Sequence, residues 1–187
     1  LRYRRWGCPA GQYSEMATML HAGQEELIKH LLSREADIIF PTPSTIAVFL
    51  PLYFVFAVIA LGLAVPAGNF IPSLTLGAAI GRLEATLLHQ AGVLSAEQVG
   101  RYALIGGAAA LGGVTRMTMT IAVILAEVSN DVAMLPACML AVAVARFVGD
   151  ILSPSFDHGM IEVLRVPFLH EFPPSIFEVL TAKDVMA

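Results

Sequence analysis

The segment Gly68-Asn69-Phe70-Ile71-Pro72 has the residue types and order best suited to chemistry in this chain. It lies between two apolar runs, so we expect it at the start of a helix, where a proline in the first turn lacks only an amide that would be unpaired anyway. The backbone amides of Asn69 and Phe70, with the positive end of the helix dipole, favour an anion without a neutralising cation. Backbone dipoles bind a halide weakly enough to release it. The alternative is that Gly68 and Pro72 merely separate two helices.

The composition indicates a membrane protein. Of the 187 residues, 57% are hydrophobic and 14% are charged, against about one quarter charged in soluble domains. The mean hydropathy is +0.73. Plentiful apolar residues exclude an intrinsically disordered chain, and the lack of a basic face excludes a nucleic-acid-binding module. The net charge of −4 resides mostly at the two ends and says little about partners.

The elements that must position the pentapeptide are apolar helices of unequal length. The stretch from Ile38 to Gly81 has no charged residue, and residues 44–65 within it predict a spanning helix of roughly 33 Å. A second, buried helix is expected over about 70–88, because small residues recur in it at helix-packing spacing. Residues 95–98 are interpreted as a polar connection. The further helices expected are a half-helix over 103–113, a run over 117–126, and a helix over 132–145 ended by Arg146 and Asp150.

The two ends differ from this apolar middle. Residues 1–37 are charged and predict an interfacial or soluble segment with two short amphipathic helices, and residues 38–165 predict the membrane helices. Residues 166–187 have the composition of soluble sequence, and the shift near residue 166 predicts a domain boundary. Because the chain begins at Leu1 and stops at Ala187 without a clear finish, we expect a fragment of a longer protein.

Enzymatic and metal-binding chemistry have little support. The apolar segments contain no Ser/His pair, HExxH motif or clustered carboxylates, so we expect no catalytic residues and no enzyme. No His or Cys has a partner at metal-ligand spacing, so no metal site is expected. Three charged residues lie in apolar surroundings, namely Arg82, Arg116 and Glu127. We interpret Arg116 and Glu127 as caps of helix ends or partners of backbone carbonyls, and Arg82 as a polar contact of a helix interior.

Five segments together resemble one family. They are Gly68 to Leu74 followed by Gly77-Ala78 and Gly81-Arg82, then Tyr102-Ala103-Leu104-Ile105-Gly106, Leu111-Gly112-Gly113-Val114-Thr115-Arg116-Met117-Thr118, and Val148-Gly149-Asp150. In order and spacing they resemble the C-terminal half of the CLC chloride channels and chloride/proton exchangers. The tail, with Val166-Pro167-Phe168-Leu169-His170 and Leu180 to Met186, is similar to the linker and first CBS-domain strand of the lysosomal and late-endosomal branch.

This resemblance implies an all-α membrane protein built from broken and re-entrant helices in two inverted repeats. It implies that the amides of Asn69 and Phe70 coordinate the transported anion at a helix opened by Gly68, Ile71 and Pro72. The family also places a tyrosine hydroxyl on that anion, and its counterpart here is Phe156, which lacks the hydroxyl. The other anion ligands and the gating and proton glutamates belong to the N-terminal half of the family's membrane domain.

The function implied by the resemblance is chloride transport, as part of a chloride/proton antiporter. The alternatives are a passive voltage-gated chloride channel and a truncated, non-conducting interaction subunit. The expected partners are chloride, protons, the lipid bilayer and a second copy bound through residues 118–128 and 134–148. We expect no cofactor, since chloride is the transported ligand. The resemblance leaves a nucleotide as an option on the CBS domains. The implied location is an endosomal, lysosomal or vacuolar membrane of a eukaryote.

Overall fold

A computed structural model describes residues 7–9, 12–33, 41–63, 68–165 and 167, and the regular structure in these ranges is entirely helical. The helices are α1 (Glu15–His21), α2 (Gln24–Leu32), α3 (Pro43–Gly62), α4 (Phe70–Gln90), α5 (Ala96–Thr115), α6 (Met119–Ser129), α7 (Leu135–Leu152) and α8 (Phe156–Leu164), with a 3-10 turn at Val132–Met134. The predicted all-α class is confirmed.

The two short amphipathic helices predicted near the N-terminus are α1 and α2. Ser14 caps α1, since its hydroxyl accepts a hydrogen bond from the Ala17 amide at 3.4 Å. The apolar face of α2 buries Leu27 and Leu31 in a cluster with Ala78 and Ala79 of α4. Both helices therefore pack against the membrane helices instead of standing apart.

Helix α3 is apolar on all sides. Pro43 occupies its first turn, where proline is well tolerated. Ile46 and Phe49 are buried, whereas Phe54 and Phe56 are each 56% exposed. Two stretches among the described residues are long and apolar enough to cross a membrane: α3 at Pro43–Gly62, and Val132–Leu164, which comprises the 3-10 turn, α7 and α8. The exposed side of α3 is suited to lipid or to another part of a larger membrane protein.

Among the described helices, α4 and α5 make the most extensive contact with each other. They approach so closely that a Cβ atom added to Gly106 would lie 2.5 Å from the Gly77 carbonyl oxygen and 2.9 Å from the Gly81 Cα. Small residues allow this backbone approach, which apolar helices in a membrane use for van der Waals packing. The predicted burial of α4 is confirmed.

The prediction of a half-helix over residues 103–113 is wrong. Residues 96–115 form one continuous helix of 20 residues, about 30 Å long. The helix starts earlier because Gln98 Oε1 accepts a hydrogen bond from the Ser95 amide at 3.2 Å, which makes the supposed polar connection its first turn.

The C-terminal helices pack on the other side of α5. Cys138 and Val142 of α7 join Ile121 and Leu125 of α6 in one buried cluster with Leu111. Helix α7 continues to Leu152, so Arg146 and Asp150 lie in its last turns and do not end it. Residues Ser153–Ser155 then connect α7 to α8, whose N-cap Ser155 accepts from the His158 amide at 3.3 Å.

Candidate anion site

The candidate site is built on the N-terminus of α4. Asn69 is the N-cap residue and Phe70 the first helical residue. Asn69 Oδ1 accepts a hydrogen bond from the Ser73 hydroxyl at 3.0 Å instead of capping the helix amides. The first amides of a helix have no acceptor within the helix, and they carry the positive end of its dipole. This arrangement leaves backbone donors at the helix start for an anion.

A cavity of about 280 Å³ lies beside this helix start. The start of α4 contributes Asn69 and Pro72 to its walls, and the next turn of α4 contributes Ser73 and Leu76. Helix α8 contributes Phe156. The other lining residues come from α3 and α5: they are Phe54, Ala57, Val58, Leu61, Ala110 and Val114. Four helices therefore line a half-open space next to the candidate anion donors.

The fold brings three of the predicted site residues together. Asn69, Pro72 and Phe156 line one cavity although Phe156 lies 84 positions beyond Pro72 in the chain (156 − 72). The remaining predicted residues of the pentapeptide, Gly68, Phe70 and Ile71, are exposed at the helix start and are not part of the cavity wall.

The cavity walls carry no ionisable side chain among the described residues. An anion there would be surrounded by apolar groups, the Ser73 hydroxyl, the Asn69 amide group and the helix dipole. In so apolar a space the amide donors act more strongly than in water. The described residues also hold no group of three or more His, Cys, Asp or Glu side chains that could bind a metal ion.

Sequence reasoning missed the contribution of α3 and α5 to this cavity. Ala57 and Leu61 of α3, and Ala110 and Val114 of α5, resemble any other apolar helix residue in the sequence. A signal was present in Ser73, whose hydroxyl follows the pentapeptide directly. It both lines the cavity and holds the Asn69 side chain.

The buried cation Arg82 lies on α4 but serves another purpose. Its side chain is buried, and Nη1 donates to the carbonyls of His30 at 3.0 Å and Leu31 at 2.6 Å. These carbonyls end α2, where a cation is favourable. The prediction of a structural contact is confirmed for Arg82, and α2 is thereby tied to the helix that presents the anion donors. Glu127 is exposed on α6 and does not lie in a buried interior.

Known proteins match most of the length of this chain. Residues 10–150 match the voltage-gated chloride channel family. The chain is 36% identical over 181 residues to human H(+)/Cl(-) exchange transporter 7, covering 96% of the chain and 22% of that protein. It is 31% identical over 185 residues to chloride channel protein CLC-c of Arabidopsis thaliana, covering 99% of the chain.

The match to Arabidopsis thaliana CLC-d is 32% identical over 177 residues, covering 92% of the chain. The chain spans 22 to 23% of the length of these relatives. The family match covers all residues from α1 to α6 and most of α7, including the whole pentapeptide. The resemblance found in the sequence motifs is therefore confirmed, and the chain belongs to the voltage-gated chloride channel (CLC) family.

Proposed function

We propose that the protein containing this chain transports chloride across a membrane as a chloride/proton antiporter, with this chain supplying one side of the anion pathway. The observation that carries the proposal is the uncapped start of α4, whose Asn69 borders the same cavity as Phe156. Chloride entering this space would lose part of its hydration shell. Helix amides would replace the lost water, as at other helix N-termini that bind anions.

The amides of Asn69 and Phe70 are the donors in this proposal, and Gly68, Ile71 and Pro72 shape the helix start. A full positive charge would hold chloride too tightly for turnover, whereas partial charges allow release. Phe156 would border the anion with its ring. Because it has no hydroxyl, the inner contact should be weaker than one made by a tyrosine.

Proton coupling is proposed from the similarity to an H(+)/Cl(-) exchange transporter at 36% identity. The other relatives, called chloride channel proteins at 31 and 32% identity, make a passive channel the second candidate. The proposed location is an endosomal, lysosomal or vacuolar membrane. The segment 166–187, predicted as a linker and the start of a first CBS domain, lies outside the described residues apart from Pro167 and stays a prediction. A nucleotide bound to the CBS domains stays a prediction as well.

A homodimer is proposed through α6 and α7. Leu140 and Val144 lie one turn apart on α7 and are 69% and 55% exposed, and Val123 of α6 is 54% exposed. An apolar helix face of this kind suits either lipid or another helix.

The experiment is a flux measurement on the full-length protein reconstituted in liposomes. We expect an outward chloride gradient to drive proton uptake against the proton gradient, and both fluxes to stop without the protein. Chloride flux without proton movement would support the passive channel. A folded protein that moves no chloride would contradict the proposal.

A further inference from the structure

Arg116, at the end of α5, contacts both α7 and the connection from α7 to α8 at one end of the candidate site. It is the C-cap of α5 and adopts a left-handed backbone conformation with φ of 62°, which is uncommon for a residue other than glycine. Its side chain is 12% exposed. The guanidinium reaches across α7, where Nη1 donates to the Arg146 carbonyl at 3.4 Å and Nε lies 3.3 Å from Asp150 Oδ1.

The same guanidinium reaches past the end of α7. Its Nη2 donates to the Ser153 carbonyl at 2.8 Å, the shortest of the contacts. Ser153 begins the short connection from α7 to α8, in extended conformation. A charge-assisted hydrogen bond of this length fixes a backbone position more firmly than a neutral one.

Gly149 makes room for this arrangement. A Cβ atom at position 149 would overlap the Arg116 guanidinium, so no side chain larger than hydrogen fits while the contacts to α7 persist. The Arg116 guanidinium therefore lies directly against the backbone of α7 at Gly149.

The connection held by Arg116 leads directly into the cavity wall. Phe156 begins α8 three residues after Ser153, and Val114, two residues before Arg116, lines the same cavity. The C-terminal end of α5 thus borders the cavity through Val114. Through Arg116 it also holds the backbone at Ser153, three residues before Phe156.

We propose that Arg116 is a positioning residue for the anion site: its bond to the Ser153 carbonyl sets where α8 begins and holds the Phe156 ring against the anion. This inference rests on the proposed function. It assigns Arg116 no contact with chloride. Its effect on chloride passes through Phe156.

The experiment measures the chloride Kd of the full-length, detergent-purified protein by isothermal titration calorimetry. We expect Arg116→Gln to weaken chloride binding about five- to tenfold, within the range of couplings between residues of one network. Asp150→Asn, which leaves the Ser153 bond in place, should weaken it less than twofold. The matched control is Arg146→Gln. Arg146 also pairs with Asp150, at 3.6 Å, but it does not contact Ser153 through its side chain, so this variant should change the Kd less than twofold.

A double-mutant cycle separates positioning from general stability. In a Phe156→Ala background, Arg116→Gln should change the chloride Kd less than twofold, because the ring that it positions is absent. Equal effects of Arg116→Gln in both backgrounds would overturn the inference. So would an unchanged Kd in folded Arg116→Gln. If that variant does not fold, Gly149→Ala takes its place, because a Cβ atom at position 149 would displace the Arg116 guanidinium, and an unchanged Kd in folded Gly149→Ala decides against the inference in the same way.

Failure of the proposed function has a different signature. A wild-type protein that binds no chloride overturns both the function and this inference. A wild-type protein that binds chloride normally beside a folded Arg116→Gln variant with the same Kd overturns the inference alone.

Discussion

The ring of Phe156 borders the cavity without a hydroxyl group, so a donor added at this position should face the anion. We expect Phe156→Tyr to tighten chloride binding about threefold to tenfold, because a hydrogen bond to a charged group is stronger than one between neutral groups. Isothermal titration of the full-length protein would measure the change. Phe156→Leu is the control without a donor and should not tighten binding. Equal affinities of the tyrosine variant and the wild type would place position 156 away from the anion.

Glu15 stabilises the start of α3 from a distance in sequence. Its Oε2 accepts hydrogen bonds from the Thr42 amide at 3.0 Å, the Thr42 hydroxyl at 2.7 Å and the Thr45 hydroxyl at 2.9 Å. Partial burial raises the pKa of this carboxyl, but the three hydrogen bonds together outweigh burial and lower it below its ordinary value of 4.5. A carboxyl with a lowered pKa in the folded state stabilises that state above its unfolded pKa.

The contact between α1 and α3 should therefore be intact at neutral pH and lost as the pH falls below about 4.5. We expect Glu15→Gln to lower the free energy of unfolding at pH 7 by less than about 1 kcal/mol, since solvent screens the carboxylate. The loss should shrink at pH 3.5. Thermal unfolding of the full-length protein at both pH values measures it. Glu26→Gln, on the exposed face of α2, should show no such pH-dependent difference; if it does, the Glu15 contact is not the cause.

At the scale of elements, the α4–α5 contact depends on the absence of side chains. A Cβ at Gly106 would meet the backbone of α4, whereas a Cβ at Gly113 would lie 3.9 Å from its nearest neighbour, an ordinary contact. Gly106→Ala should destabilise the protein by about 1–3 kcal/mol through overpacking. Gly113→Ala, on the same helix, should be neutral or stabilising because alanine favours helices.

Thermal unfolding in detergent would compare the two alanine variants. A lower midpoint for Gly106→Ala alone is the expected result. Equal midpoints would contradict the close approach of the two helices.

The helices themselves were largely predictable because hydrophobicity and small-residue spacing report directly on membrane helices. The start of α5 was not, since residues 95–98 are polar and act as a helix cap only through the Ser95–Gln98 hydrogen bond. The pentapeptide was recognisable from its local order. Its meeting with Phe156 and Ala57, and the reach of Arg116 to Ser153, depend on tertiary packing between distant segments.

At the scale of the whole molecule, the chain belongs to the CLC family, and its composition is that of a membrane protein. Its broad exposed apolar faces are where lipid, the remainder of a larger protein or a second copy would lie. The proposed homodimer would bury the exposed faces of α6 and α7.

We expect a cysteine introduced at Val144 to cross-link two copies of the full-length protein in membranes under mild oxidation. A cysteine at Val48 of α3, similarly exposed at 59%, is the control and should give monomers on a non-reducing gel. Cross-linking through position 48 and not through position 144 would assign the interface to another face.

The central claim is that backbone amides at the start of α4 hold the anion, and Asn69→Pro tests it most directly. Proline removes the amide at position 69, and the φ of −84° there lies close to the value that proline imposes. Asn69→Ala is the matched control, because it also removes the bond to Ser73 but keeps the amide. Calorimetric titration of chloride into the full-length variants should show binding weakened about tenfold or more by proline and less than about threefold by alanine. Equal affinities of the two folded variants would contradict the claim.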